Sequence, residues 1–103
     1  MTARFLALYT TPSDPVAFER HYRDVHVPLA KQLPGLRSYT LSHDVTPVRG
    51  GAEYYLVAQL EWDDIESLRA AFASPQGQAT AADVPNLTRY ADTASMVYQV
   101  DEV

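Results

Sequence analysis

Apolar positions recur along the chain with two different periods, and these periods separate predicted strands from predicted helices. Residues 4–11 form a short apolar run that indicates a buried strand. Residues 36–45 and 54–62 alternate apolar and polar positions, which predicts two half-buried strands joined by the turn TPVRGGAE. Residues 94–100 alternate in the same way and predict a fourth strand.

The first helical region follows the first strand. Ser13 or Asp14 can cap it, Pro15 suits the first helical position, and the breaker Pro34-Gly35 ends it. Between these limits the apolar positions step by three or four residues, as on one face of a helix. The predicted stripe consists of Phe18, Tyr22, Val25, Leu29 and Leu33.

The second helical region follows the third strand and is interrupted once. Asp63 followed by Glu66 resembles a capping box and predicts the start of a helix. Ser74-Pro75 predicts a second cap, and the short helix that begins there must end at Pro85.

The predicted element order is βαββαβ, which indicates one α+β domain over residues 1–103, with a ferredoxin-like antiparallel sheet and both helices on one face. The other face is left uncovered, and its predicted side chains are too mixed for a dry core and too apolar for bulk water. They are Ser38, Thr40, Ser42, Tyr55, Val57 and Gln59. We therefore expect a homodimer in which two such faces meet and enclose a semi-polar cavity.

Composition narrows the class of protein. Hydrophobic residues make up 47% of the 103 positions, which is typical of a globular chain, and the absence of cysteine excludes disulfides and thiolate chemistry and fits a cytoplasmic location. The net charge is −5 and the basic residues are scattered singly, which argues against nucleic acid as a partner. No apolar run indicates a signal peptide or a membrane span. Seven tyrosines suit a subunit interface or a half-polar ligand pocket.

Pro28 interrupts the first helix within HYRDVHVPL, because it lacks an N–H and its ring would clash with the carbonyl of Asp24. His26 then lies at the break, where the start of the second half-helix favours neutral imidazole. A neutral imidazole beside a cleft can accept a proton, so His26 is the candidate general base, with Tyr22 one turn earlier as its hydroxyl partner. The alternative is a histidine that bonds the freed carbonyl and fixes the kink.

His43 and Tyr39 share one face of the second strand, and they line the same cleft as His26 if that face meets the first helix. Two histidines and a tyrosine around an apolar pocket suit enolisation or cyclisation, because one group removes a proton while another stabilises the enolate. The alternative for His43 is a strand-end histidine bonded to Asp44 or the turn. His21 is expected at the helix edge or against a partner subunit.

Other kinds of site have little support in the sequence. His21 and His26 are five residues apart and do not align on a helix as a metal-binding pair. Gly50-Gly51 lies between two strands rather than before a helix, so no standard nucleotide or flavin loop is present. No serine lies in a nucleophile elbow. We therefore expect no metal and no cofactor.

Several motifs resemble the EthD family of small dimeric α+β barrel proteins. The first is a Phe-x-x-His-Tyr-x-x-x-His-x-Pro-Leu helix that begins at Phe18, followed by LPGL at residues 33–36. The second helical region contributes SPQG at residues 74–77 and ADVPN at residues 82–86. These anchors cover nearly the whole chain in the order that the family has.

The resemblance implies a small, largely apolar or aromatic ligand in a cleft between sheet and helices. The namesake of the family is encoded with a monooxygenase system that degrades ethyl tert-butyl ether, and wider relatives of the barrel include isomerases, polyketide cyclases and cofactor-free monooxygenases. We therefore expect a cofactor-independent oxidoreductase or an isomerase or cyclase that transfers a proton, with Tyr39, Leu29 and Tyr55 as ligand contacts. The alternative is a non-catalytic accessory protein that holds an intermediate for a partner oxygenase system.

Overall fold

A computed structural model describes residues 1–103 and contains one antiparallel sheet with helices packed on one face. The strands are β1 (Ala3–Tyr9), β2 (Ser38–Val45), β3 (Tyr54–Trp62) and β4 (Thr93–Gln99). Their order across the sheet is β2-β3-β1-β4, and each neighbouring pair is antiparallel. The predicted ferredoxin-like α+β class is therefore confirmed.

The two predicted helical regions are each broken into shorter segments. The first consists of α1 (Pro15–His21), a π-helical turn (Tyr22–His26) and α2 (Val27–Ala30). The second consists of α3 (Ile65–Ala73), α4 (Pro75–Asp83) and α5 (Pro85–Thr88). α2 contains the predicted breaker Pro28, and α4 follows the predicted cap at Ser74. The π-helical turn and α5 were not predicted.

The helix starts agree with the capping chemistry of the sequence at two of three positions. Of the two candidates Ser13 and Asp14, Asp14 is the cap, because it accepts the backbone N–H of Ala17 at 3.1 Å. Ser74 accepts the backbone N–H of Gly77 at 3.1 Å, as predicted. The predicted cap at Asp63 is wrong by one residue. Asp64 is the N-cap of α3 because its carboxylate accepts the backbone N–H of Ser67 at 2.8 Å.

One face of the sheet carries the core. Trp62, Leu56 and Phe18 are fully buried there, together with residues from every helical region. The indole N–H of Trp62 donates to the carbonyl of Pro34 at 2.9 Å. Gly35 allows this contact, because it adopts a φ of 72° and lies against the indole ring.

The other face of the sheet has no helix over it. Its register aligns Met96, Leu6, Gln59 and Thr40 in one row across the four strands. The prediction for Tyr55 on this face is wrong, because its hydroxyl donates to Glu19 of α1 at 2.9 Å and its ring contacts Phe18. The open face is nevertheless partly apolar, and Met96 is 48% exposed on it.

Candidate functional site

A cavity of about 240 Å³ lies between the sheet and the helices. Most of the residues that line it are apolar, and its polar groups are hydroxyls and one imidazole. These polar residues are Tyr9, Tyr22, His26, Tyr39, Thr80, Thr93 and Ser95. The cavity therefore suits a mainly apolar ligand that makes a few directed hydrogen bonds.

Two alanines create the space on the sheet side of the cavity. Ala7 of β1 and Ala58 of β3 are Cα partners, and both line the cavity. The adjacent rows on the same face carry large side chains, Phe5 opposite Leu60 and Tyr9 opposite Leu56. Because the helices rest on the large residues, the short alanine row leaves room beneath them.

The π-helical turn determines which side chain of HYRDVHVPL faces the cavity. The predicted stripe continued from Tyr22 to Val25, but Val25 is 39% exposed and His26 is 6% exposed. The backbone N–H of Val27 bonds to the carbonyl of Tyr22, five residues earlier, so the helix is locally wider than an α-helix. In this wider turn a residue four positions after Tyr22 lies on the same face as Tyr22. His26 is therefore buried in place of Val25. The predicted restart at Pro28 is confirmed by α2.

Asp83 holds His26 from the far end of α4. The carboxylate Oδ2 lies 2.9 Å from Nδ1 of His26, and Oδ1 lies 2.8 Å from Nε2 of His21. The side-chain amide of Asn86 also donates to Oδ1 at 3.0 Å. Asp83 is 7% exposed and His26 is 6% exposed, so this hydrogen bond is largely protected from water, whereas His21 is half-buried and Asn86 is exposed.

The charges in this group follow from burial and hydrogen bonding. Burial lowers the pKa of His26 below 6.5, although the hydrogen bond to Asp83 opposes the shift. Burial alone would raise the pKa of the Asp83 carboxyl, but hydrogen bonds from Asn86, His26 and His21 outweigh it and keep the pKa below its usual value. The ionised carboxylate can only accept, so Nδ1 of His26 must carry the ring proton. Nε2 is then the basic atom, and it has no hydrogen-bond partner in the protein.

Three tyrosines add hydroxyl groups beside the histidine. The hydroxyl oxygens of Tyr22 and Tyr39 are 2.7 Å apart, and the Tyr22 ring lies 5.3 Å from the His26 ring. Burial raises the pKa values of Tyr9, Tyr22 and Tyr39, so all three hydroxyls remain protonated near neutral pH. One O–H of the Tyr22–Tyr39 pair bonds the other oxygen, which leaves the second O–H free for a ligand.

The other sequence-predicted site residues lie outside the cavity. His43 is four residues further along β2 than Tyr39, a displacement of about 13 Å along an extended strand. Its Nε2 lies 3.0 Å from the carboxylate of Glu19, which also accepts from Tyr55. Leu29 is half-buried and does not line the cavity.

Asp83 is the site residue that the sequence interpretation missed. It lies 57 residues from His26, and neither its spacing nor its neighbours indicate a histidine partner. The only signal for it in the sequence is its position in the ADVPN motif of the family resemblance. His21 was expected at the helix edge, and it contacts Asp83 there with a quarter of its side chain exposed.

The chain contains neither a metal-binding cluster nor a membrane-spanning helix. No group of three or more histidine, aspartate or glutamate side chains is arranged to hold a metal ion. No helix combines the length and the apolar character that crossing a membrane requires.

Comparisons with known proteins agree with this architecture. An EthD domain model matches residues 11–89. The chain is 37% identical over 83 residues to an "Uncharacterized 11.0 kDa protein in thcB-thcC intergenic region" of Rhodococcus erythropolis, which covers 81% of each protein.

Solved structures extend the similarity to nearly the whole chain. An ethyl tert-butyl ether d (EthD) family protein of Bacillus halodurans matches with a TM-score of 0.85 and 30% identity, over 98% of this chain and 100% of the other. SnoaB of Streptomyces nogalater, a cofactor-independent oxygenase, shares the fold with a TM-score of 0.71 and 17% identity, over 99% and 95% of the two chains. The predicted family resemblance is thus confirmed, and this chain belongs to the EthD family.

Proposed function

We propose that the protein binds a small, mainly apolar or aromatic molecule in this cavity and that His26 removes a proton from it. The observation that carries the proposal is a neutral imidazole at the cavity wall, oriented by a buried carboxylate and with one ring nitrogen unpaired. A buried base with an orienting partner is an arrangement that general-base catalysis requires. Similarity to a protein described as a cofactor-independent oxygenase is consistent with this chemistry.

The proposed step transfers one proton. The proton moves from an acidic C–H or O–H of the ligand to Nε2 of His26, and the bonding electron pair stays on the ligand as an enolate or phenolate. Asp83 stabilises the imidazolium through Nδ1, while the free O–H of the Tyr22–Tyr39 pair donates to the ligand oxygen that gains charge. No cofactor takes part in this step.

The fate of the anion separates the two proposed reaction classes. Return of the proton to a different atom gives an isomerisation or a cyclisation, whereas oxidation by dioxygen gives a cofactor-independent oxygenase. Both begin with the same proton removal. In this proposal Tyr39 contacts the ligand, and no reacting role is assigned to His43, Tyr55 or Leu29 because they lie outside the cavity.

The open sheet face supports a homodimer as the working form. Leu6 and Leu8 project from it on the central strand β1, with Val57 and Met96 beside them on the neighbouring strands. An apolar strip along a central strand is unfavourable in water and is covered when two copies pack face to face. Light scattering at micromolar concentration should give twice the mass of the chain, and a monomer would contradict this part of the proposal.

Proton removal can be measured without the natural substrate. 2-Tetralone is a two-ring ketone with acidic C–H bonds next to its carbonyl, and exchange of these protons for deuterium is followed by NMR. We expect the protein to accelerate exchange at pD 7 and His26→Gln to reduce that acceleration by about 10²–10⁴-fold. His43→Gln makes the same substitution outside the cavity and should leave the exchange rate unchanged.

The outcome separates the enzyme from the accessory protein. If His26→Gln exchanges the protons of 2-tetralone as fast as the wild type, His26 is not the base. Tight binding of 2-tetralone with no acceleration of exchange would favour a non-catalytic protein that holds a molecule for a partner oxygenase.

A further inference from the structure

The cavity extends across all four strands of the sheet. It is lined by Tyr39 on edge strand β2, by Ala58 and Ala7 on the central strands, and by Thr93 and Ser95 on edge strand β4. Neighbouring strands are about 4.8 Å apart, so the backbones of the two edge strands are separated by about 14 Å. The central strands contribute the two alanines and the hydroxyl of Tyr9, and hydroxyl groups also occur at both edge strands.

Thr93 has an unsatisfied hydroxyl at the β4 end. Its Oγ1 is excluded from solvent and has no hydrogen-bond partner, and it is the only buried side-chain oxygen or nitrogen in this condition. Such a group is unfavourable in a folded protein unless something else pairs with it. The Thr93 side chain borders the cavity, and one staggered step of χ1 would move Oγ1 to the position that Cγ2 now occupies. A ligand oxygen at this end of the cavity would give the hydroxyl its missing partner.

The lining also limits the charge of the ligand. No arginine or lysine contributes to the cavity wall, so a carboxylate or phosphate would be buried without a counter-charge. A ligand oxygen at the β4 end would therefore have to be uncharged, as in a hydroxyl or a carbonyl.

The volume limits the size of the ligand. A cavity of about 150 Å³ holds one benzene ring, and this cavity is about 1.6 times as large. A volume of this size suits two fused six-membered rings.

We infer that the ligand is an uncharged two-ring molecule with oxygen at both ends, and that Thr93 Oγ1 binds the oxygen remote from His26. This inference rests on the proposed function, because it describes the ligand of the same cavity. Thr93 is then a specificity residue: it recognises the distal oxygen, while His26 and the Tyr22–Tyr39 pair act on the proximal carbonyl.

Two ligands that differ only at the distal end test this assignment. 6-Hydroxy-2-tetralone adds a hydroxyl to 2-tetralone on the ring opposite the carbonyl. One net hydrogen bond should make the wild-type protein bind it roughly three- to tenfold more tightly than 2-tetralone, as measured by calorimetry. In Thr93→Val the affinity ratio should fall to about one, because the hydroxyl is lost at constant shape.

Thr80→Val is the matched control. Thr80 also lines the cavity, but its hydroxyl already donates to the carbonyl of Gln76 at 2.8 Å. This variant should keep the wild-type preference for the hydroxylated ligand. A preference for the hydroxylated ligand that persists in Thr93→Val would overturn this inference. The same holds if the wild type shows no preference while 2-tetralone still binds and exchanges its protons, and in both cases the proposed function would stand. Binding of neither ligand would overturn the proposed function as well.

Discussion

The tautomer of His26 should depend on Asp83, and Asp83→Asn tests this dependence in the ligand-free protein. The carboxylate accepts from both histidines and from Asn86. An asparagine at this position has only one accepting atom, so it cannot satisfy all three donors. The amide oxygen should take the Oδ1 position, because Asn86 donates there and cannot accept from a second amide nitrogen.

The amide nitrogen of the new asparagine would then face Nδ1 of His26. Two N–H groups facing each other would lose a buried hydrogen bond, which costs about 1–3 kcal/mol. Since 1.36 kcal/mol is a factor of ten, the ring should favour a proton on Nε2 by about 5- to 150-fold. His26 would then present an N–H to the cavity and could not accept a proton from a ligand.

Nitrogen NMR of the imidazole ring measures this change directly. The wild type should show a protonated Nδ1 and a bare Nε2 at pH 7.5, and Asp83→Asn should show the reverse while its far-ultraviolet spectrum stays unchanged. The rate at which Asp83→Asn exchanges the protons of 2-tetralone for deuterium should fall as well. Asp24→Asn removes the same charge from an exposed position two residues from His26 and should change neither signal. A wild-type ring protonated on Nε2, or an unchanged tautomer in Asp83→Asn, would refute the reasoning.

Acid should destabilise the fold through His26, because its folded pKa lies below 6.5 and the unfolded chain therefore takes up the proton first. The contribution of neutral His26 to the free energy of unfolding is complete above pH 6.5 and is lost as the pH falls through the folded pKa. The difference between the urea midpoints at pH 8 and pH 5 should therefore be smaller in His26→Gln than in the wild type. Ala58→Leu should fill the cavity at a cost under about 1 kcal/mol and weaken 2-tetralone binding by about tenfold or more in calorimetry. Normal binding in this variant would show that the ligand lies elsewhere. Gly77→Ala should cost about 1–3 kcal/mol, because a Cβ there meets the carbonyls of Ala71 and Phe72, and an unchanged thermal midpoint would contradict that close approach.

Local sequence chemistry predicted the elements and most of their limits. The bounds of β3 agree with the alternating segment at residues 54–62, and the caps at Asp14 and Ser74 are as predicted. These features depend on side chains within a few residues of the backbone groups that they satisfy, so the sequence contains the whole interaction. The single-residue error at Asp63 arose because two adjacent aspartates can each cap the same helix.

The site could be predicted only in part. Pro28 indicated a break beside His26, and the family motif pointed to the same histidine. The periodic stripe predicted Val25 on the buried face, because the period is that of a regular α-helix. The π-helical turn changes this period, and His26 is buried instead. His43 shares a strand face with Tyr39, but a common face does not give position along the strand, and His43 lies with Glu19 outside the cavity.

The sequence alone therefore determined the order of elements and the place at which the first helix breaks. Each of these follows from contacts between near neighbours in the chain. Only the tertiary structure decided that Asp83 orients His26 across 57 residues and that Ala7 and Ala58 open a cavity beneath it. Such pairings depend on strand register and on how the helices pack against the sheet, and neither has a local signature. The HYRDVHVPL segment contains His26, and the fold pairs it with Asp83 at the wall of the cavity.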